Sequence, residues 1–304
     1  MAAREDKVIP MNDVATLVRR ARQMKTAIPG FNIPYLPMMA PVVQALRDTN
    51  TVGLIMVARL EWVKFESGSL RAIREEYERV KDERHTRLHL DHVPVIDEDG
   101  LQVDYVDVIR EALDLGYSSV MVDGSRLSFD ENVRATKRIV EMAHAAGAAA
   151  EAELGAVLGH EAGPLPPYDE LFASGKGFTD IDEARRFVAE TDVDWLSVAI
   201  GNIHGAISGV SRHQQKVQAR LHIDQLDAIS VATDVPIVLH GGTGIRVPDI
   251  RAAIQHGIAK INVATAIRQP YERAIESSAG DEAQAVYLAT RDVLENELGV
   301  AGNA

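Results

Sequence analysis

Hydrophobic and polar positions along the chain fall into two alternating patterns. Short runs rich in apolar and β-branched residues read as strands: "AIPGFN" (27–32), "VGLIMVA" (52–58), "RLHLDH" (87–92) and "SSVMVD" (118–123). Four more follow, "AAAEAEL" (148–154), "WLSVAI" (195–200), "PIVLHG" (236–241) and "AKINVA" (259–264). Between them lie segments with helical spacing, among them 104–115, 129–146, 182–190, 247–256 and 267–278. Eight strands alternating with helices over 304 residues predict an α/β fold, a (β/α)8 TIM barrel. A doubly wound open sheet would place a glycine-rich turn after its first strand, and "GFNIPYLP" is not one. The whole span 1–304 therefore reads as one barrel domain with a C-terminal helical extension at about 281–298. Its helix at 282–297 lies beyond the eighth βα unit and is expected to pack on a neighbouring subunit. The stretch 159–177 has no clear period and reads as a mobile loop.

Composition narrows the function classes. The chain is 46% hydrophobic and 25% charged, an ordinary soluble composition with enough material for a core. Its 45 acidic and 32 basic side chains give a net charge of −13, which argues against nucleic acid as a partner. It leaves small anionic substrates open, since their sites need only a few local donors. With no cysteine, disulfides, thiolate nucleophiles and cysteine-ligated zinc are excluded. No apolar run is long enough to span a bilayer, and "MAAREDKVIP" has no signal-peptide core. A cytoplasmic protein with no membrane partner is the expectation.

Polar side chains gather at the C-terminal ends of the strands, where barrels of this kind carry their chemistry. Asn32 ends the first strand, Asp91 and His92 the third, and Asp123 the fourth. Glu151 and Glu153 alternate along the fifth strand and so face one side. His204 follows the sixth strand, His240 ends the seventh, and Asn262 and Thr265 close the eighth. One such histidine is usually a satisfied core residue. His92, His204 and His240 at three strand ends suit a catalytic zinc site with its fourth position open. His89 differs in parity from His92, so in a regular strand one of the two faces away. The remaining histidines, such as His85, His144, His213, His222 and His256, read as surface residues. The glycines and hydroxyl of "HGGTG" (240–244) can form a backbone nest for phosphate, and "NVAT" (262–265) sits one strand over, at the usual phosphate site of the fold. Lys260 is the only lysine within the strands; near the start of the eighth, it reads as remote from the site, which disfavours a lysine Schiff base.

The ordered series "AIPGFNIPYL", "LHLDH", "GYSSVMVDGS", "AEAELG", "FTDIDEARRFVAETDVDWLSVAIGNIHG", "IVLHGGTGI" and "KINVATAIR" resembles the class II, zinc-dependent ketose-bisphosphate aldolases, from about residue 8 to 279. The resemblance implies zinc on His92, His204 and His240, with Asp91 as acid/base on the C4 hydroxyl of a ketose. It places Glu161 as the carboxylate exchanging the donor's C1 proton, and Asp123 and Glu153 as a second metal position. It implies substrate contacts from Asn32 and Asn262 and a phosphate cradle of Gly205, Gly241, Gly242, Thr243 and Thr265. A monovalent cation (Na+ or K+) and a homodimer or homotetramer are also implied. The chemistry suits these types: retro-aldol cleavage of C3–C4 leaves an enediolate that a Lewis acid stabilises, while a carboxylate takes the hydroxyl proton. The expected substrate is a small phosphorylated sugar, cleaved to dihydroxyacetone phosphate and an aldehyde.

Four departures from the family pattern concern substrate binding. Val93 replaces a glycine after "LDH", ahead of the acidic "PVIDEDGLQVD". "HGAISGVSR" lacks the usual tyrosine and lysine, Ala58 stands for a serine, and "GGTG" has threonine for serine. Arg59, or basic residues in 209–220, are the expected replacements for the lost anion contacts. An aldolase for a deoxy-acid or sulfonated sugar phosphate, or a non-catalytic sugar-phosphate sensor, are the alternatives. A barrel zinc hydrolase would need an H-x-H pair on the first strand, which is missing here.

Overall fold

The computed structural model describes residues 13–155, 168–202, 218–277 and 281–304. Eight parallel strands close into a barrel in chain order. They are β1 (Ile28–Asn32), β2 (Gly53–Ala58), β3 (Thr86–Pro94), β4 (Ser119–Asp123), β5 (Ala149–Leu154), β6 (Trp195–Val198), β7 (Ile237–Leu239) and β8 (Ile258–Val263). Pairing of Ile28 with Lys260 and of Asn32 with Met56 sets β1 between β8 and β2. Nearly every strand residue is buried, as expected where helices cover one face and the barrel interior takes the other.

Among the described residues, twelve α-helices frame the strands. α1 (Val14–Gln23) precedes the barrel, and α2 (Met39–Asp48), α3 (Arg59–Lys64) and α4 (Leu70–Val80) surround the first two units. α5 (Tyr105–Asp114), α6 (Phe129–Ala145), α7 (Tyr168–Ser174) and α8 (Ile181–Thr191) follow, then α9 (Ile223–Thr233), α10 (Val247–Gln255), α11 (Thr265–Ser277) and α12 (Glu282–Asp292). Many start where an Asp or Ser caps a free backbone N–H, as Asp13, Ser69, Asp104, Asp180 and Asp281 do. The helices read from the sequence fall within a few residues of α5, α6, α8, α10 and α11.

The core has two parts. The larger lies between strands and helices. The smaller joins Val14, Val18 and Ala21 of α1 to Leu54, Met56, Trp195, Val238 and Ala259 inside the barrel, so α1 plugs its N-terminal end. Chemistry is thereby confined to the opposite mouth.

The C-terminal helix finds partners within its own chain, and one expectation changes, at His85. α12 packs on α2 and α11 of its own chain, with Val286 buried, Val293 and Leu294 just beyond it buried too, and Tyr287 donating to Asp48 at 3.1 Å. Leu288 of α12 stays exposed, and the tail behind the helix bonds back to Thr49, Asn50 and Val52. His85 is buried as well, its ring nitrogens on Asp82 and Asn50. In the stretch 159–177, residues 168–174 form α7 and 159–167 lie outside the described residues. No helix among the described residues is long and apolar enough to cross a membrane.

Candidate active site

The site is built on a fault in β3. The register of β3 against β4 shifts between Leu90 and Val93, and His92 takes φ +30°, a left-handed value unusual outside glycine. In a regular strand Asp91 and His92 would face opposite ways. The bulge turns both toward the barrel mouth, and His89, two residues before Asp91, faces inward too. His89 and His92 therefore share one side, because the regular alternation stops between them.

Asp91 is the best-anchored group. Its Oδ2 accepts from Asn32 Nδ2 and its Oδ1 from Asn262 Nδ2, each at 3.0 Å, so β1 and β8 grip it from two sides. Burial opposes its charge, but the positive charges of His92 and Lys260 outweigh burial and bring its carboxyl down to about 2. Asp91 is an anion at neutral pH, with both oxygens oriented.

His92 Nε2 and His240 Nδ1 lie 2.6 Å apart. Each ring's far nitrogen meets a carboxylate: His92 Nδ1 lies 3.4 Å from Asp123 Oδ2, and His240 Nε2 bonds Glu151 Oε1 at 2.8 Å. A carboxylate behind an imidazole fixes its N–H there and leaves the near nitrogen's lone pair facing forward. Glu153 Oε2 stands 3.4 Å from His240 Nδ1 and 4.0 Å from His92 Nε2. Donor atoms of Asp91, His92 and His240 all lie within 4.8 Å of one another. Two ring nitrogens aimed at one point, with carboxylates around it and no thiolate, fit a divalent transition metal once the proton between them is lost.

Electrostatics follow from this crowding. Burial alone would lower His92, but its hydrogen bond to Asp123 and the charges of Asp91 and Glu153 hold the imidazole up at about 10. Asp123 is held below the usual carboxylate range: burial would raise it, and His92 and Ser125 outweigh that. Burial, then the Asp123 charge, pushes Glu153 up to about 8. Burial and the neighbouring His92 charge lower His240.

The ends of β7 and β8 meet as the sequence suggests. Gly242 N–H donates to the Asn262 carbonyl at 3.1 Å, and Thr243 Oγ1 accepts from Ala266 N–H at 3.3 Å, at the start of α11 beside Thr265. Gly241 takes φ +66°, which lets the chain turn out of β7. Asn202, not singled out in the sequence, ties the β6 exit to β7 by donating to the His240 carbonyl at 3.1 Å. His204, Gly205 and Glu161 lie outside the described residues, as do 209–217 of the basic loop and His213. Arg220, in the remainder of that loop, is paired with Asp169 and lies over the Phe172 ring. Arg59 opens α3 with Nη1 3.6 Å from Asp97 Oδ2, so the acidic connection after β3 already holds it.

Lys260 is the largest departure from the sequence reading. It is fully buried inside the barrel with Nζ 2.7 Å from Glu151 Oε2 and 2.7 Å from Asn262 Oδ1. It is thus two hydrogen bonds from Asp91 rather than remote. The pattern held the signal: Lys260 stands two residues before Asn262, as His89 does before Asp91 and Glu151 before Glu153, so each pair shares a face. Glu61 was also missed. Buried at the start of α3, it accepts from Ala58 N–H at 2.7 Å, and burial followed by the charge of Asp91 raises it to about 8.

Known proteins share this arrangement of elements. The family described as "Fructose-bisphosphate aldolase class-II" matches residues 12–298. A fructose-bisphosphate aldolase of Staphylococcus aureus (strain Mu50 / ATCC 700699) is 31% identical over 295 residues, covering 96% of this chain and 89% of the relative. Among solved structures, the YdjI aldolase from Escherichia coli K12 superposes with a TM-score of 0.73 at 26% identity, over 96% of this chain and 98% of that one. The fructose-bisphosphate aldolase of Campylobacter jejuni, at 17% identity and a TM-score of 0.71 over 97% of each chain, shares the fold. With its closed eight-stranded barrel and a match over nearly its whole length, the chain belongs to the class II fructose-bisphosphate aldolase family of lyases.

Proposed function

We propose that this aldolase is zinc-dependent and reversibly cleaves the C3–C4 bond of a phosphorylated ketose to dihydroxyacetone phosphate and an aldehyde. One observation carries the reading: an ionised, doubly anchored Asp91 stands directly beside the converging nitrogens of His92 and His240. A divalent ion held by His92 and His240, with His204 as the third ligand, supplies Lewis-acid stabilisation of the negative charge left by cleavage.

The chain's own residues do the rest. Asp91 takes the C4 hydroxyl proton, the new C4 carbonyl forms, and the C3–C4 electron pair stays with the donor half. Asn32 and Asn262 hold Asp91 so that its free lone pairs meet that hydroxyl. Gly241, Gly242, Thr243 and Thr265, with Gly205, cradle the donor's phosphate, and a monovalent cation (Na+ or K+), if bound, would help to offset its charge. Glu161 exchanges the donor's C1 proton, and Asp123 and Glu153 provide an alternative metal position. Arg59 is the candidate contact for a second anionic group. The enzyme acts in the cytoplasm as a homodimer or homotetramer.

The test is cleavage of a panel of ketose phosphates, read as dihydroxyacetone phosphate released, before and after chelation and with zinc added back. Chelator-sensitive, zinc-restored release from a panel member is the expected result. Stoichiometric zinc with no release from any member overturns the assignment of this reaction.

A further inference from the structure

A fully buried lysine is a rare and costly feature. Lys260 lies beneath the metal-binding nitrogens with no exposure. An apolar side chain of similar volume, with Glu151 made neutral, would fold as well or better there. What an apolar side chain cannot do is donate two hydrogen bonds, and Lys260 gives both of its to groups that orient the site.

The first goes to Asn262 Oδ1 at 2.7 Å. A carboxamide has two nearly isosteric faces, one accepting and one donating, and either can be turned toward a neighbour. With the ammonium on its oxygen, the Asn262 amide cannot flip, since its NH2 would then face Nζ. The NH2 is thereby committed to Asp91 Oδ1 at 3.0 Å. The second goes to Glu151 Oε2 at 2.7 Å, an oxygen that also accepts from Trp195 Nε1. This pins the carboxylate and leaves Oε1 for His240 Nε2 at 2.8 Å, so that His240 turns Nδ1 toward His92.

His89 Nε2, Asp91 and Glu151 also form a close donor group, and His89 Nε2 has no hydrogen-bond partner; it lies 3.5 Å from Glu151 Oε2 and 3.8 Å from Asp91 Oδ1. That group needs no second metal ion. Its cation is Lys260, already on Glu151.

We propose that Lys260 is a positioning residue serving both halves of the reaction: through Asn262 it orients the base Asp91, and through Glu151 it orients the ligand His240. The inference rests on the reading of Asp91 and His240 given above. Lys260 is fully buried, and its two hydrogen bonds reach the base through Asn262 and the ligand through Glu151.

Two variants test it, with kcat, KM, zinc affinity by chelator competition and thermal stability read for each. Lys260→Met leaves Glu151 a buried unpaired anion and lowers stability, whereas Lys260→Met/Glu151→Gln removes both charges and restores folding. In the double variant zinc affinity is expected to fall by roughly ten- to a hundredfold. At saturating zinc its kcat stays at least about tenfold below wild type, because the Asn262 amide is free to flip, while KM changes by less than about threefold. A double variant with wild-type zinc affinity and wild-type kcat overturns the proposal and leaves Lys260 as a charge balance for Glu151. If the wild type binds zinc but cleaves no ketose phosphate, the reading of Asp91 fails instead. The zinc-affinity arm then still decides the role of Lys260 through His240.

Discussion

A proton and a metal ion would compete for the facing ring nitrogens of His92 and His240. His92 Nε2 and His240 Nδ1 at 2.6 Å are at hydrogen-bonding distance, so one of them must carry N–H. His92 is that donor, since its environment holds it up at about 10 while His240 is lowered. Metal binding must expel this proton. For a ligand of pKa about 10, apparent affinity rises about tenfold per pH unit, so about a hundredfold from about pH 7 to about pH 9. An ordinary histidine, titrating near 6.5, would give a change of less than about twofold over that range. Titration calorimetry in buffers of different ionisation enthalpy counts the protons directly. We expect about one proton released per zinc at about pH 8, with part of a second from Glu153, held up at about 8. Asp123→Asn removes the partner of His92 Nδ1 and is expected to lower both the proton count and the slope. Zinc binding with no proton released, and affinity flat above about pH 7, would refute the assignment of the proton to His92.

Two further perturbations address the surroundings of Asp91. Glu61 has its carboxyl raised from 4.5 to about 8, so the stability it contributes is fully present below about 4.5 and is lost as pH rises toward 8. Relative to Glu61→Gln, the wild type should lose up to about 5 kcal/mol across that window and no more above it, as followed by denaturant unfolding at several pH values. Equal pH dependence in the two proteins would mean that Glu61 is not buried against Asp91. At Gly242 a Cβ would lie 2.7 Å from Ile261 Cγ2 and 2.9 Å from the Asn262 carbonyl oxygen, so Gly242→Ala must push β8 away from the β7 exit. Steady-state kinetics should show KM raised by about tenfold or more, with the metal content unchanged. An unchanged KM would remove Gly242 from the phosphate cradle.

Much of the architecture was legible in the sequence because most strands are short apolar runs with a polar side chain at or just beyond their ends. Asn32, Asp91, His92, Asp123, Glu153, His240 and Asn262 all fall at or beside strand ends of one barrel mouth. The bulge at His92 was not legible: it is a backbone event in which a non-glycine residue takes φ +30°, and a count by twos cannot foresee it. Lys260 was misplaced for another reason. Position along a strand suggested depth, but in a packed barrel the interior layers touch, and a long side chain near the start of β8 reaches the layer above. His85 has a third cause, since the sequence pattern shows that a face is buried but not what buries it.

The account turns on Asp91 as the base that works beside a metal it need not hold. The most direct measurement is cleavage by Asp91→Ala of the ketose phosphate that the wild type cleaves, with bound zinc quantified in the same samples. Wild-type zinc stoichiometry with cleavage reduced by about a hundredfold or more is the predicted result. Cleavage within about tenfold of wild type, with zinc bound, would contradict it and move the acid/base role to another carboxylate at the barrel mouth.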